Sequence, residues 1–309
     1  MAASAPTAPA RPPVRRRRPR LGAYGLLLPA SIVIGVALGY PLVRQFVLSF
    51  QEFGLKQQFG APPEWVGLQN YTDLLTDSYV WTVIARSIAF CLVNAALTML
   101  VGVALAVLME RVARGARMTL QVALLLAWGT PVLASMTVWQ WLFDTQYGVI
   151  NWTLVHVFGL DQFDRHSWIV QPLSFYLVAT VIVVWMSVPF VAFSVYAGLL
   201  QVPAETMEAA QLDGASPRQR FWNITMPMIR PVLTIVLLLQ VIWDLKVFTQ
   251  IYTLQRAGAP TRETNLLGTL IYSMSKDFGQ AGALATIMLV ITLALTGFYI
   301  RKMLKEDEL

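Results

Sequence analysis

Apolar residues in this chain come in long unbroken runs, and charged residues are confined to the gaps between them. Four runs carry no charge at all, Leu21–Val43, Ser87–Met109, Met118–Phe143 and Phe278–Ile300. Each is long enough to cross about 30 Å of hydrocarbon as a helix. Two further runs are less clean, one inside Ser167–Val202 and one at Pro231–Thr253, which contains Asp244 and Lys246. The pattern predicts an all-α integral membrane protein with six transmembrane helices, at about residues 24–49, 84–110, 119–143, 174–200, 231–253 and 281–300. Pro131 predicts a kink in the third span, and Trp139 and Trp141 suit an interfacial belt near its outer end. An interfacial piece is expected around Ile150–Phe158.

The polar interval Gln201–Pro231 is not written like a loop. Pro203 suits the first position of a short helix and Glu205 its positive end. Met207, Ala210 and Gly214 fall on one face, small and adaptable enough for another surface to approach closely. Gly214 supplies a helix terminus, and a second start follows at Ser216, Pro217 and Gln219. Pro227 and Pro231 are expected to end that second helix, and Asp213 to cap a downstream amide or meet a basic group. The interval therefore predicts two short helices at a membrane surface, joined by a glycine corner.

Polar residues inside the spans are the candidates for a solute path. Ser87, Cys91, Asn94 and Thr98 share one face of the second span, and Gln240, Trp243 and Asp244 fall three or four apart in the fifth. A charge at mid-membrane costs at least about 2.5–3.5 kcal/mol, so Asp244 must face a partner or water. One reading is interhelical hydrogen bonding and ion pairing. The other is a translocation path lined by Asn94, Gln240, Trp243 and Asp244, in which Trp243 offers a ring face and Gln240 and Asp244 offer hydrogen-bonding groups.

Composition agrees with the membrane reading, at 56% hydrophobic and 13% charged over 309 residues. The net charge of +6 is a topology signal rather than a mark of nucleic-acid binding. With the amino terminus inside, fifteen Lys and Arg residues fall on inner segments and five on outer loops. That bias places both termini and the 201–231 interval in the cytoplasm. Residues 1–20, rich in Ala, Pro and Arg, are expected to be a disordered basic tail. The run that follows contains Pro29 and Pro41 and lacks a small-residue cleavage site, which favours an uncleaved first span over a signal peptide. One cysteine and two histidines support neither a disulfide framework nor a usual metal site. No lysine follows a glycine, so the phosphate-cradling G-x-x-x-x-G-K-[ST] loop is missing from this sequence.

Glu208-Ala209-Ala210, then Gly214, Ile224 and Pro227, resembles the EAA signature of importer-type ABC permeases, with Met226 where that pattern usually has Leu. The segment VGLQNYTDLL, the block Trp141-Leu142-Phe143 with Gly148 and Asn151, and Phe248–Tyr252 resemble stretches of maltose- and glycerol-phosphate-type sugar permeases. Thr249, Ala257 and Ala259 depart from that pattern, which has Asp and glycines there.

The resemblance covers residues 24–303 and implies a type I ABC importer permease fold over residues 21–309. It also implies a cytoplasmic coupling helix at about 203–215. Glu208, Ala209, Ala210, Asp213, Gly214, Ala215 and Pro227 are then the positions that engage an ATPase subunit. The implied function is the permease subunit of an ATP-driven carbohydrate importer in a bacterial plasma membrane. The implied partners are a second, non-identical permease chain, two ATP-binding subunits that hold ATP and Mg, and an extracytoplasmic solute-binding protein. No cofactor is expected in this chain. The competing readings are an ABC permease for a non-sugar solute and a stand-alone secondary carrier.

Overall fold

The computed structural model describes residues 21–306, with side chains from 26 to 301. The basic tail expected at 1–20 lies outside the described residues. The chain divides into two units, one ending at Val47 and one beginning at Leu48.

The first unit carries span one, as helices Leu21–Ile34 and Tyr40–Leu48 joined by a π-turn at Gly35–Gly39. Pro41 lies just beyond that turn. A π-turn adds a residue to the coil, which relieves the clash between a proline ring and the carbonyl four residues back.

In the second unit, the connection after span one is tied down by the VGLQNY segment. Strands Gln51–Glu52 and Glu64–Trp65 pair antiparallel, with Gln51 opposite Trp65. Asn70 Nδ2 donates to the carbonyls of Ser49 and Gln51, both at 3.0 Å. Tyr71 and Ser49 share a hydroxyl hydrogen bond of 2.6 Å. Gly279, at the start of span six, lies so close that a Cβ there would stand 2.3 Å from the Gln51 carbonyl oxygen.

Span two runs Ser78–Arg111, and begins earlier than expected because Asp77 caps it, accepting the Tyr79 N–H at 2.8 Å. Span four runs Pro172–Leu199, with Pro172 in its first turn. The two lie along each other as the central pair. Their close approach is set by Gly102, where a Cβ would meet Val191 Cγ1 at 2.5 Å. Small residues let helix backbones approach in a bilayer, where dispersion contacts replace the hydrophobic drive. Met109, Val191, Val195 and Ile229 pack towards one end of this pair; Met136, Phe175, Ile182 and Ile251 pack towards the other.

Span three is not the single kinked helix expected at 119–143. It is two helices, Arg114–Gly129 and Val132–Leu142, bent through 102°. The residue before a proline is driven out of the helical region, and Thr130 is extended at φ −73°, ψ 127°. Pro131, at ψ 136°, caps the second helix and contributes no N–H. The helix therefore stops and restarts. Among the described residues, five helices are long and apolar enough to cross a membrane, or six when this bent pair is counted as one broken span.

Span five also departs from expectation. Its continuous part is Met226–Leu245, and Thr249–Arg256 follows as a separate helix. Pro227 and Pro231 do not end the preceding short helix. Pro227 sits in the first turn of the span, and Pro231 lies inside it. The chain passes from Pro217–Arg220 into the span through a π-turn at Phe221–Thr225, in which the Met226 N–H donates to the Phe221 carbonyl. Span six is Phe278–Glu306.

Overpacking a closed helix contact costs about 1–3 kcal/mol. Gly102→Leu is thus expected to lower the thermal midpoint of the detergent-solubilised protein. Gly115→Ala, where nothing lies within 4 Å of the added carbon, is expected to leave it unchanged. Equal midpoints would show that spans two and four do not meet at Gly102.

Candidate functional site

The interval between spans four and five folds as a lever. Helix Ala204–Leu212 starts from Pro203, which takes the cap position (φ −63°, ψ 131°) rather than the first helical one, and Glu205 sits in its first turn. Asp213 leaves the helix, and Gly214 turns left-handed at φ +79°. The Ala215 N–H closes back to the Ala210 carbonyl at 2.9 Å. The next helix begins at once with a capping box. The Gln219 N–H donates to Ser216 Oγ at 3.3 Å, and the Ser216 N–H donates to Gln219 Oε1 at 2.8 Å. A single glycine corner thus joins the short helix to the helical stem of span five.

Nine residues are too few for a stable isolated helix, and none of the nine is buried. What holds the helix are ties to the stem. Arg220 Nη1 donates to Gln211 Oε1 at 3.0 Å, and the Thr225 hydroxyl approaches Met207 Sδ at 3.9 Å. Met207 also borders a cleft of about 340 Å³, whose walls include Glu110, Arg111, Arg220 and Phe221. The cleft brings the end of span two beneath the lever. Arg117 closes the turn after span two by donating to the carbonyls of Glu110 and Val112, both at 3.3 Å.

This geometry reverses one expectation. Met207 and Ala210, read as the face that another surface approaches, are turned partly towards their own chain. Glu205, Glu208, Ala209 and Leu212 are exposed instead. Leu212 is 90% exposed, an apolar side chain that the sequence reading passed over. Its signal was its position, four residues after Glu208 on the outward face. Asp213 is exposed and takes the C-cap position of the helix through its backbone N–H, while its side chain caps no downstream amide and forms no ion pair among the described residues. Ala215 contributes a backbone bond, and Pro227 lies in the stem rather than on the lever.

The polar residues of the spans separate into two sets. Asn94, Gln240 and Asp244 are 0, 0 and 3% exposed. Gln240 Nε2 donates to Asp244 Oδ1 at 2.9 Å, and Asn94 Nδ2 to the Phe90 carbonyl at 2.8 Å. Cys91 Sγ approaches the Val241 carbonyl at 3.4 Å, so spans two and five meet at this level. Ser87 Oγ donates to Val83 and accepts the Leu267 N–H, each at 2.8 Å. Trp243 does not join Gln240 and Asp244. It is 44% exposed and sets its ring edge against Phe190, with centroids 4.9 Å apart. Lys246 is exposed and leaves Asp244 without an ion pair among the described residues. Three of the four candidate path residues are therefore packed between helices, and only Trp243 is accessible.

The block around Asn151 is structural. Asn151 Oδ1 accepts from Trp168 Nε1 at 2.6 Å, and its Nδ2 donates to the His166 carbonyl at 2.9 Å. Trp168 stacks on Phe163 at 5.3 Å and meets Phe143 edge-on. Gly148 is needed because a Cβ would lie 2.3 Å from the Asp144 carbonyl oxygen.

A single exposed hydrogen bond contributes about 0.5–1.5 kcal/mol, equivalent to roughly 2–10-fold in a local opening equilibrium. Gln211→Ala and Arg220→Ala are each expected to speed amide hydrogen exchange across 204–215 by that factor, and the double variant to add little. Additive effects would show that the pair does not hold the lever. For the buried pair, Asp244→Asn keeps an acceptor for Gln240 and is expected to preserve the fold. Asp244→Leu strands a buried amide and is expected to cost about 1–3 kcal/mol in the thermal midpoint. Equal midpoints would remove the pair from the packing account.

Comparison with known proteins agrees with this architecture. The family described as the binding-protein-dependent transport system inner membrane component matches residues 98–306. The diacetylchitobiose uptake system permease protein DasB of Streptomyces coelicolor is 41% identical over 291 residues, covering 93% of this chain and 88% of its own. The trehalose/maltose transport system permease protein MalF of Thermococcus litoralis is 29% identical, covering 93% and 95%. A bacterial ABC transporter involved in the import of the acidic polysaccharide alginate has the same fold, with a TM-score of 0.77 at 22% identity over 91% of this chain and 94% of that one. The chain belongs to the family of membrane-embedded permease components of binding-protein-dependent transport systems.

Proposed function

We propose that this chain forms half of the translocation pathway of an ATP-driven carbohydrate importer and takes its power stroke from a separate ATPase subunit. The lever carries this reading. An exposed helix with Glu208, Ala209 and Leu212 outward, held to its own chain by two side-chain contacts, presents a surface for another protein. Through Gly214 and the capping box it passes force into span five, and through the cleft at Met207 it bears on the end of span two. Rigid rocking of the spans then alternates access to a central path. Gly214 gives the corner its direction, and the Arg220–Gln211 contact keeps it from folding under load.

The sequence contains no phosphate-cradling loop, so ATP and Mg are held by two partner ATPase subunits, as the family resemblance implies. A second, non-identical permease completes the pathway, and an extracytoplasmic solute-binding protein delivers the solute. The excess of Lys and Arg on the lever side supports a cytoplasmic lever and cytoplasmic termini. Similarity to a diacetylchitobiose permease and to a trehalose/maltose permease supports a small oligosaccharide as solute, with N,N′-diacetylchitobiose as the first to test.

A side chain at left-handed φ costs roughly 1–2 kcal/mol and redirects the corner. In proteoliposomes holding the complete importer, the wild type is expected to accumulate diacetylchitobiose only with ATP and loaded binding protein. Gly214→Val is expected to insert and assemble but to lose most ATP-driven uptake. Undiminished uptake by Gly214→Val would remove the coupling claim. Uptake driven by an ion gradient without ATP would instead make the protein a secondary carrier.

A further inference from the structure

The cleft beneath the lever carries a charge that coupling alone does not use. Glu110 and Arg111 at the end of span two form one side, Met207 lies on the lever, and Arg220 and Phe221 on the stem form the other. Arg111 is exposed and makes no hydrogen bond or ion pair among the described residues. Arg220 donates through Nη1 to Gln211, and its buried Nε has no acceptor. A guanidinium has five N–H donors and keeps its charge at any physiological pH. Glu110 is exposed and pairs with neither arginine. Two guanidinium groups against one carboxylate leave the cleft positive. Arg114 and Arg218, which stand at the starts of the two neighbouring helices, are exposed and also unpaired among the described residues.

The cleft also lies at the depth of a lipid headgroup. Span two changes from apolar to charged between Met109 and Glu110, which marks the edge of the hydrocarbon. Trp222 does not line the cleft, but it fixes the level of Phe221, which it meets edge-on at 5.3 Å. It is exposed, as an indole in the headgroup zone is. Met207 and Phe221 give the cleft apolar walls beside its two arginines, and its volume falls at the lower end of small-molecule sites. Basic pockets between membrane helices on the cytoplasmic side suit anionic headgroups. Glu208, Ala209 and Leu212 face away from the stem, so an ATPase subunit can hold the lever without filling the cleft.

We infer that this cleft holds the headgroup of an anionic phospholipid of the cytoplasmic leaflet, with its phosphate between Arg111 and Arg220 and its glycerol against Met207 and Phe221. The bound headgroup ties the end of span two to the lever, so coupling improves when the leaflet is anionic. A zwitterionic lipid brings the same phosphate, but its amine cancels the charge that the excess of arginine attracts. The inference rests on the cytoplasmic lever proposed above.

The test uses the complete importer, first in detergent with lipid binding followed by native mass spectrometry. Phosphatidylglycerol is expected to bind in preference to phosphatidylethanolamine and phosphatidylcholine. Arg111→Gln is expected to weaken phosphatidylglycerol binding about fivefold, the equivalent of about 1 kcal/mol for one surface arginine. Glu110→Gln removes the one carboxylate and is expected to tighten binding by a similar factor. That gain cannot come from misfolding, so this variant decides where Arg111→Gln fails to assemble. Arg301→Gln, at the end of span six and outside the cleft, is expected to change nothing. In proteoliposomes, sugar uptake per ATP hydrolysed is expected to be higher with phosphatidylglycerol than with phosphatidylcholine alone, and Arg111→Gln to lose that gain. Equal binding by wild type and both cleft variants would overturn the site, as would an equal loss in Arg301→Gln or equal binding of phosphatidylethanolamine. Inorganic phosphate reproducing the gain in phosphatidylcholine vesicles would make the ligand a free anion and overturn the lipid. Selective binding with no gain in uptake would overturn the bracing role. A wild type that binds the lipid selectively but takes up no solute with ATP would overturn the transport reading and leave the lipid site standing.

Discussion

Force can pass from a surface helix into a membrane bundle only if the joint between them has one shape. Here that joint is a single left-handed residue. At φ +79°, Gly214 turns the backbone where an L side chain is strained, although an added side-chain carbon would meet nothing within 4 Å, so the restriction is one of backbone conformation and not of space. The direction of the corner therefore comes from the backbone itself, and the bonds on either side make it stiff. The Ala215 N–H closes the helix before it, and the Ser216–Gln219 box opens the helix after it. The remaining ties, Gln211 to Arg220 and Met207 to Thr225, hold the lever at a fixed angle to span five.

Prolines set the other joints of the molecule, with two different results. Pro227 is absorbed in the first turn of a helix directly after the π-turn at Phe221–Thr225, and Pro231 lies inside that helix without breaking it. Pro131 is not absorbed, since Thr130 is extended and the helix must restart. The first arrangement makes a continuous stem for transmitting motion. The second makes an elbow. The stem of span five and the elbow of span three thus use the same residue type for opposite mechanical ends.

Much of this was legible in the sequence. Apolar runs located the spans, since hydrocarbon demands length and low polarity from any crossing helix, but not the early start of span two at Ser78, the break in span three or the end of span five's continuous helix at Leu245. The lever was legible as well, because Pro203, Gly214 and Ser216 act locally. The pattern did not say which face of the lever looks outward. Met207 and Ala210 are contiguous in either orientation, and only the stem contacts at Arg220 and Thr225 decide between them. The polar residues of the spans misled for a related reason. Gln240, Trp243 and Asp244 are neighbours on a helical wheel, yet Trp243 is about 100° round from Asp244, enough to leave one exposed and the other buried. Tertiary packing makes that distinction, and spacing does not.

Coupling through the lever depends on which side of the Ala204–Leu212 helix meets another protein. The most direct measurement is site-specific cross-linking in the assembled importer. The native Cys91 is buried, so a second cysteine can report alone. Leu212→Cys and Glu208→Cys are predicted to cross-link to the ATPase subunit, with a yield that changes when ATP is bound. Met207→Cys is predicted to remain unlinked to it. Efficient linking of position 207 with none at 208 or 212, or no ATPase contact at any of the three, would contradict the account.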